Sequence, residues 1–357
     1  MVRSGGCEAD TANMIDQHGG AEAAVVTLDR VRHRFGEVIA LDGLSLSVPS
    51  QRITVLLGPN GAGKTTAIRT ITGALSPREG HVSTFGLDPR VEGDHVRRRC
   101  GVVSAKPALY DRLSGYDNLV YAAELYGVGR ASQDPAIRAA AGRFGIDDAL
   151  SHQVGGYSTG MKTRLALARA VLHDPDLLLF DEPTSGLDPE SSQAVLDLIR
   201  DMTGAGKTVV MCTHLLAEAE GLADHIVVME AGRNLCAGTP DELSRRFWPG
   251  ALLLLDAESP DQLDRVALWR GVTAYDRTDV ARVELDGFGR VPDLVATLVR
   301  DGVRLTRVEP RVPTLEDLYF AIRQQARGDG LAPVASHLPA AAPSPRTHEL
   351  TAREATA

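Results

Sequence analysis

Hydrophobic and polar positions divide the chain into an α/β region and a smaller C-terminal region. In the first region, apolar runs alternate with longer segments of helical periodicity. Strands are predicted at residues 25–28, 44–48, 53–57, 177–180, 208–213 and 226–229. The runs at 177–180 and 209–211 are apolar at every position, which is typical of strands that are covered on both faces. The pattern therefore predicts an α/β fold with a parallel sheet.

Beyond residue 238 the pattern predicts a small α+β domain. Its expected elements are a strand at 252–256, a helix at 260–268, strands at 272–276 and 281–285, a helix at 291–300, a strand at 303–309 and a last helix from Thr314. The order β-α-β-β-α-β is that of a split-βαβ sandwich. Thr314, followed three residues later by Asp317, has the form of a capping box that starts a helix.

The two ends of the chain lack the periodicity of packed elements. Residues 1–22 are Gly-rich and polar, and residues 326–357 are rich in Ala and Pro. Neither segment carries enough large apolar side chains to offset the loss of conformational entropy, so we expect two disordered tails. The predicted organisation is a tail at 1–22, an α/β domain at 23–238, an accessory domain at 239–325 and a tail at 326–357.

Charge, cysteine content and the lack of long apolar runs limit the partners and the compartment that are expected for this chain. The 357 residues have a formal net charge of −9, and the densest basic run, 97–99, is interpreted as a solvated helix face. We therefore expect no nucleic-acid partner. Cys7, Cys100, Cys212 and Cys236 fit neither a zinc nor a disulfide pattern, which favours a reducing compartment. The sequence shows no signal peptide and no apolar run of about 20 residues, so any membrane crossing is expected from a partner.

One segment matches the phosphate-binding pattern G-x-x-x-x-G-K-[ST] in full. With the threonine that follows, it consists of Gly58, Pro59, Asn60, Gly61, Ala62, Gly63, Lys64, Thr65 and Thr66. A predicted strand precedes it, and a helix from Lys64 to about residue 75 follows. The glycines let backbone N–H groups converge on phosphate oxygens, and the helix N-terminus adds its positive dipole end. Lys64 would neutralise the β- and γ-phosphates and Thr65 would bind Mg²⁺, so ATP and Mg²⁺ are the expected cofactors.

A second candidate site is the acidic pair at the end of the apolar run 177–180. A buried parallel strand presents its C-terminal end to the ligand crevice, where phosphate-binding loops also lie. There Asp181 would hold Mg²⁺, and Glu182 would polarise the water that attacks the γ-phosphate. An acidic turn after a strand is common by itself, but together with the phosphate loop it indicates an ATPase.

The segment before this strand identifies the class of ATPase. A polar turn, Tyr157-Ser158-Thr159-Gly160-Met161, leads into a predicted helix that ends at Pro175. Here the chain resembles the ATP-binding subunits of ABC transporters, whose signature is Leu-Ser-Gly-Gly-Gln: Ser158 and Gly160 keep its serine and second glycine, and the other three positions differ. The form Tyr-Ser-x-Gly-Met-Lys is similar to the branch that serves ABC-2-type exporters of drugs, antibiotics, sodium and polysaccharides.

The resemblance implies further site residues and a fold. It implies that Phe35 stacks on adenine, that the segment Ser185-Gly-Leu-Asp188 communicates across a dimer, and that His214 contacts the γ-phosphate. The implied fold is the P-loop NTPase cassette of ABC proteins, a mixed sheet with a helical lobe, followed by a small α+β domain. Alone, Phe35 would more often be a core residue, His214 an ordinary polar residue at a strand end and Asp188 a helix N-cap.

The resemblance also implies partners. Two cassettes of this family enclose ATP, so a second copy or a related cassette is expected, together with a separately encoded permease of ABC-2 type. The implied location is cytoplasmic, peripheral on the cytoplasmic face of the membrane. Two alternatives remain: an ABC ATPase of translation or DNA repair, and an ATPase that drives a membrane complex mechanically. The single cassette and the absence of extended heptads count against the translation and repair class.

One position departs from the family pattern. Most members carry a glutamine after the strand near Cys100, where it binds Mg²⁺ and signals to the membrane subunit, and Ala105 stands there in this chain. Alanine offers no metal ligand, so either Ser104 or Lys106 substitutes or the contact is missing. We hypothesise that metal binding survives through Thr65 and Asp181 while coupling is altered. The stretch 107–125 is expected to be the helical lobe that docks the membrane partner.

Overall fold

The computed structural model describes residues 24–248, 250–277 and 280–327. Its strands are β1 (Ala24–Phe35), β2 (Val38–Pro49), β3 (Ile53–Leu57), β4 (Glu79–Thr84), β5 (Cys100–Val103), β6 (Leu177–Asp181), β7 (Thr208–Thr213), β8 (His225–Glu230), β9 (Arg233–Gly238), β10 (Ala251–Ala257), β11 (Val272–Arg277), β12 (Ala281–Leu285) and β13 (Leu305–Arg311). Its α-helices are α1 (Lys64–Ile71), α2 (Gly93–Arg98), α3 (Gly115–Leu125), α4 (Arg130–Arg143), α5 (Thr159–Val171), α6 (Pro189–Gly204), α7 (Leu216–Ala219), α8 (Pro240–Phe247), α9 (Val291–Arg300) and α10 (Leu315–Arg327).

Two compact units make up the described chain. The first contains the residues up to His214 together with Met229–Asn234, and the second contains Leu215–Val228 and the residues from Leu235 onward. The predicted tail at 1–22 lies outside the described residues. So does the predicted C-terminal tail, except that residues 326 and 327 belong to α10.

Parallel strands form the centre of the first unit. Four of them are neighbours in the order β5-β6-β7-β3, and each neighbouring pair is parallel. Every residue of β3, β6 and β7 is buried. The prediction of doubly covered strands from uninterrupted apolar runs is confirmed here, because both faces of these strands are shielded from solvent.

An antiparallel sheet of order β2-β1-β4 is also part of the first unit. β1 and β2 extend well beyond the predicted runs, and their pairing continues to Phe35 and Val38 at the hairpin end. The extra residues of β1 include Asp29, Arg30 and Arg32. Charged residues on the solvent side of a strand interrupt an apolar run, so the run alone underestimates the length of the strand.

Helices α3, α4 and α5 pack against one another as a helical lobe. The sequence predicted helical structure over 107–125, but α3 begins only at Gly115, where the Ser114 hydroxyl caps it by accepting a 3.0 Å hydrogen bond from the Asp117 N–H. Residues before it form a loop held by the buried Asn118 amide, which bonds the Tyr110 N–H and carbonyl at 2.9 and 3.1 Å.

Helix α1 ends at Ile71 instead of near residue 75. Gly73 has a φ of 68°, and a Cβ at this position would lie 2.3 Å from the Pro89 carbonyl oxygen. A left-handed glycine directly after the last turn is a common helix terminator. The apolar spacing around residues 64–75 does not register this backbone requirement.

The second unit contains a four-stranded antiparallel sheet of order β11-β12-β10-β13. This is the strand order of the split-βαβ arrangement that the sequence predicted. Leu253, Val283 and Leu294 are fully buried in the core of this sandwich. The capping box before α10 is also present, with Thr314 and Asp317 exchanging hydrogen bonds of 2.9 and 3.2 Å.

Two elements of this sandwich differ from the prediction. The segment Pro260–Leu268 is a 3₁₀ helix, whose buried residues Leu263 and Val266 are three apart; apolar spacing of three fits both helix types, so the sequence pattern does not distinguish them. β13 begins at Leu305 instead of residue 303, because the Val303 N–H bonds the Leu298 carbonyl at 3.0 Å and closes α9. Among the helices described, none has both the length and the apolar character of a membrane span.

Candidate functional site

The loop between β3 and α1 presents free backbone donors. Gly63 has a φ of 101°, and a Cβ there would lie 2.6 Å from the Ala40 carbonyl oxygen, so only glycine fits. No side chain caps the start of α1. Within the part of the chain that the structure describes, the first N–H groups of the helix therefore lack both an intrahelical acceptor and an N-cap side chain, which makes them a site suited to an anion.

Lys64, the first residue of α1 after this loop, is almost completely buried, with a relative exposure of 6%. Its Nζ donates to the carbonyl oxygens of Gly58 at 2.6 Å and Pro59 at 3.3 Å. The Glu182 Oε1 atom lies 3.6 Å from the same ammonium. A buried cation requires such partners, and a phosphate in the loop would be a stronger one.

Thr65 and Asp181 meet across the site. The Thr65 hydroxyl donates to Asp181 Oδ2 at 2.7 Å, and the Asp181 side chain has a relative exposure of only 5%. Burial is the largest influence on the Asp181 carboxyl and raises its pKa. The hydrogen bond from Thr65 lowers the pKa, and the nearby Glu182 raises it further. The net increase leaves a carboxylate whose charged form would gain from a cation.

Glu182 adopts a strained backbone conformation and pairs with His214. Its φ is 54°, in the left-handed region that residues other than glycine rarely adopt. Its Oε2 atom lies 2.7 Å from His214 Nδ1. A carboxylate only accepts hydrogen bonds, so this contact needs the proton on Nδ1 and leaves Nε2 for another partner. Strain of this kind persists where the surrounding structure holds a side chain in a required position.

Parallel pairing explains why these residues meet. Leu57 of β3 is in register with Thr213 of β7, and Cys212 of β7 is in register with Asp181 of β6. The three strands therefore end at the same edge of the sheet. Residues 64, 181 and 214, which are separated by 117 and then 33 positions in the sequence, converge at this edge.

A pocket of about 530 Å³ opens beside Thr65 and Asp181. It is lined by Thr65, Ile68, Arg69, Thr72, Ala74, Arg97, Cys100, Val102, Ser104, Ala105, Lys106, Tyr126 and Asp181. Three of these side chains are cationic and one is acidic. Arg97 lies exposed on α2, as the sequence predicted for the run 97–99, and its side chain also lines the pocket and donates to the Thr72 carbonyl at 3.4 Å.

The loop after β5 contains Ala105, the position where the family pattern has glutamine. The Ser104 hydroxyl donates to the Lys106 carbonyl oxygen at 2.8 Å, so it is used within the loop. Further along, the Arg169 guanidinium of α5 donates to the Ala108 carbonyl oxygen. The loop is thus held by contacts within itself and by α5. Sequence reasoning gave Arg69, Tyr126 and Arg169 no role, because their neighbourhood arises from distant segments.

The signature turn lies at the start of α5. Ser158 is exposed and caps the helix by accepting a 3.2 Å hydrogen bond from the Met161 N–H. Tyr157 is buried and donates to the Ala149 carbonyl at 2.5 Å. No contact described for Ser158 or Gly160 involves the phosphate loop of the same chain. The structure therefore groups Lys64, Thr65, Asp181, Glu182 and His214 but does not bring the signature to them.

The remaining predicted residues are distributed around the first unit. Phe35 lies at the end of β1 and is 47% exposed, so it is not a core residue. Its ring packs edge-to-face on the His33 ring, with 4.7 Å between the ring centroids. Asp188 is the N-cap of α6 and accepts from the Ser191 N–H at 2.9 Å. Asn60 and Gly61 are exposed at the loop tip, and the Thr66 carbonyl accepts from the Thr70 hydroxyl at 2.8 Å.

The residues at this edge fit a nucleotide-bound Mg²⁺ ion. Among the residues that the structure describes, no group of three or more His, Cys, Asp or Glu side chains could form a metal cage. Mg²⁺ is commonly held by one or two protein oxygens together with substrate phosphates, and it keeps several waters. Thr65 Oγ1 and Asp181 Oδ2, which lie 2.7 Å apart, are hard oxygen ligands of that kind.

Comparison with known proteins indicates what this site belongs to. The family described as ABC transporter matches residues 41–185. The chain is 35% identical over 302 residues to the daunorubicin resistance ATP-binding protein DrrA3 of Streptomyces coeruleorubidus, covering 83% of this chain and 94% of that protein. It is 32% identical over 302 residues to the Nod factor export ATP-binding protein I of a Rhizobium species, covering 83% and 96%.

Solved structures share the fold. An ATP-binding subunit of an ABC transporter aligns with a TM-score of 0.58 and 30% identity, over 62% of this chain and 93% of that one. An ATP-binding cassette in a dimeric post-hydrolysis state with ADP and phosphate aligns with a TM-score of 0.55 over 60% and 98%. At 24% identity, this second likeness concerns the fold alone.

Proposed function

The chain belongs to the ABC transporter family as an ATP-hydrolysing subunit, and from this premise we propose that it energises export through a separate integral membrane permease of ABC-2 type. The names of two relatives support the proposal, one a drug resistance protein and the other an export protein. Their similarity extends over 302 residues, which is more than the predicted cassette at 23–238 contains. The shared region therefore includes part of the C-terminal region as well.

The observation that carries the mechanism is the position of Glu182 between a lysine and a histidine. Lys64 lies 3.6 Å from one carboxylate oxygen and His214 2.7 Å from the other. In the proposed reaction Lys64 neutralises the β- and γ-phosphates, while Glu182 orients and polarises the attacking water. His214 holds Glu182 in place through Nδ1 and offers Nε2 to the γ-phosphate.

Mg²⁺ is the proposed second cofactor. It would supply positive charge against the phosphate oxygens during transfer. The Thr65 hydroxyl and the Asp181 carboxylate would hold it, and their mutual 2.7 Å contact already places both oxygens on the same side of the phosphate loop. Burial raises the pKa of Asp181 because it disfavours the charged carboxylate, and a bound cation would stabilise that charged form.

A second cassette would complete each site. Ser158 and Gly160 lie at the helix N-terminus of α5, a site suited to an anion, yet within their own chain they have no described contact with the phosphate loop. We propose that they contact the γ-phosphate bound by a second copy or a related cassette. Phe35, exposed at the end of β1, is the proposed adenine platform.

The permease is proposed to dock on the helical lobe from the cytoplasmic side of the membrane. Around α3 the side chains of Tyr110, Tyr121 and Leu125 are 51%, 49% and 68% exposed. Exposed apolar side chains that cluster on one lobe are typical of an interaction surface. For the accessory domain predicted at 239–325 we propose a role in dimer contact or in regulation of the cassette.

Two measurements on the full-length chain test the proposal. Equilibrium binding of Mg-ATP should be strong for the unaltered protein and reduced by at least about 100-fold in Lys64→Ala, because the buried charge opposite the phosphates is gone. Arg138→Ala, which alters an exposed ion pair on α4, is the matched control and should bind normally. Intact binding by Lys64→Ala would contradict the proposed site.

The transport role is tested separately by affinity purification from membranes. We expect an integral membrane protein to co-purify and to raise ATP turnover. Recovery of ribosomes or DNA in its place would favour the translation or repair class. A membrane partner that raises turnover without moving a solute would favour a mechanical ATPase.

A further inference from the structure

The loop that replaces the family glutamine offers one uncommitted polar side chain. Ala105 has no polar group, and the Ser104 hydroxyl already donates to the Lys106 carbonyl oxygen at 2.8 Å. The Lys106 ammonium, in contrast, has no hydrogen bond or ion pair within the described part of the chain. Of the two neighbours considered as substitutes for glutamine, Lys106 is therefore the one whose side chain is available.

Lys106 lines the same pocket as Thr65 and Asp181. The cations that lower the pKa of the Asp181 carboxyl are Lys64 and Arg69, and Lys106 is not among these influences. Lys106 is exposed, and its four-carbon chain lets the ammonium reach over several ångströms of the pocket. Among the residues described, it is thus an exposed and unpaired positive charge in the pocket that also contains the proposed metal ligands Thr65 and Asp181.

An ammonium cannot do what glutamine does. It has three donors and no lone pair, so it cannot bind a metal ion, and it would repel one. Toward phosphate oxygens, however, lysine supplies the same kind of positive charge as the metal. The substitution therefore exchanges a metal ligand for a charge that neutralises phosphate directly.

We propose that Lys106 binds the terminal phosphate region of the nucleotide and thereby lowers the protein's requirement for Mg²⁺ in nucleotide binding. The inference rests on the proposed nucleotide site and adds a second phosphate-directed lysine to it. Lys64 approaches from the buried side of the loop, and Lys106 approaches from the pocket. Because Ala105 has only a methyl group, no side chain at that position separates Lys106 from the pocket that both residues line.

The test is equilibrium binding of a fluorescent, non-hydrolysable ATP analogue to the full-length protein, in excess Mg²⁺ and in excess EDTA. Without metal, Lys106→Ala should weaken binding about tenfold, the effect of one charge in a partly solvated site. With metal, the loss should stay within about twofold, because the ion neutralises the same phosphates. Lys106→Arg should restore binding in EDTA, because it keeps the charge.

Lys207→Ala is the matched control, since Lys207 is paired with Asp174 at 2.6 Å and lines no part of the pocket. It should behave as the unaltered protein under both conditions. The inference is overturned if Lys106→Ala binds normally in EDTA, or if it loses the same factor with and without Mg²⁺. Failure of the unaltered protein to bind the analogue even with Mg²⁺ would instead overturn the proposed nucleotide site.

Discussion

The sheet edge with the phosphate loop (Lys64, Thr65 and Asp181) and the signature turn (Ser158 and Gly160) both involve the N-terminus of a helix, but only the first makes described contacts with other functional segments of the chain. At the edge, Lys64, Thr65 and Asp181 contact groups that come from other segments. At the turn, Ser158 only caps its own helix and is otherwise exposed. Under the proposed function, this difference means that a lone subunit holds the phosphate loop and its acidic partners but needs a second cassette to supply the signature.

The same comparison separates two uses of a polar side chain. Asp181 and Lys64 are buried, and a buried charge without a partner destabilises the folded protein. Each of these side chains therefore needs the polar groups that surround it. Ser158 at the turn is exposed, so water can hydrogen-bond its hydroxyl when no ligand is bound. A substitution at the edge therefore perturbs chemistry and stability together, while one at the turn can perturb chemistry alone.

Breaking the edge should have the largest effect. Glu182→Gln keeps the shape of the side chain but removes the carboxylate that is proposed to polarise water, so turnover should fall about 1000-fold. Nucleotide binding should stay within a few-fold, because Lys64 and the loop are unchanged. Steady-state ATPase assays and equilibrium binding check this, with exposed Glu316→Gln on α10 as control. Turnover near that of the unaltered protein would exclude Glu182 as the residue that acts on water.

Ser158→Asp should abolish the proposed contact of the signature turn with a second nucleotide without disturbing the fold. Aspartate is as good an N-cap as serine, so the helix should keep its stability. Its negative charge would repel the phosphate bound by the opposing cassette, and turnover should fall about 100-fold while binding to the isolated subunit is unchanged.

Size-exclusion chromatography with ATP checks the dimer. We expect Glu182→Gln to elute as a dimer and the double variant Glu182→Gln/Ser158→Asp to elute as a monomer. Ser132→Asp, on the exposed face of α4, serves as control. Unimpaired dimerisation and turnover in Ser158→Asp would show that the signature does not face a second nucleotide.

Ala105→Gln should complete the metal side of the edge. The added amide oxygen offers Mg²⁺ a further ligand, and we expect the Mg²⁺ concentration for half-maximal nucleotide binding to fall by about 3- to 10-fold. Ala108→Gln, at an exposed position of the same loop, is the control. If neither Mg²⁺ dependence nor partner-stimulated turnover changes, the hypothesis of altered coupling at Ala105 is wrong.

Asp181→Asn should reveal the stability cost of the edge. Burial raises the pKa of Asp181, so the folded protein holds this proton more tightly than the unfolded chain does. The cost of the charged form is absent at low pH and grows as pH rises through the folded pKa. At neutral pH and without nucleotide, Asp181→Asn should therefore melt higher, by about 2–4 °C for each kcal/mol relieved.

Scanning calorimetry across pH checks this expectation. Asp176→Asn, an exposed position just before β6 that pairs with Arg99, should change the melting temperature little. A lower melting temperature for Asp181→Asn at neutral pH would show that the carboxylate is satisfied without a cation.

The sequence by itself determined the individual strands, helices and turns of this protein, because neighbouring residues specify them. The strand–loop–helix around Lys64 follows from glycine spacing, and β3, β7, β12 and α9 have the predicted bounds. The strand order of the C-terminal sandwich also follows from the predicted order of its elements. These features depend on backbone freedom and on apolar periodicity, which neighbouring residues encode.

Tertiary structure decided which pieces meet. The parallel register of β6, β7 and β3 places Asp181, His214 and the phosphate loop at one edge, and no spacing in the sequence fixes that register. The pocket that joins Arg69, Lys106 and Tyr126, and the separation of Ser158 from the loop of its own chain, arise in the same way. Contacts between distant segments depend on how buried faces pack, and packing is a property of the folded chain as a whole.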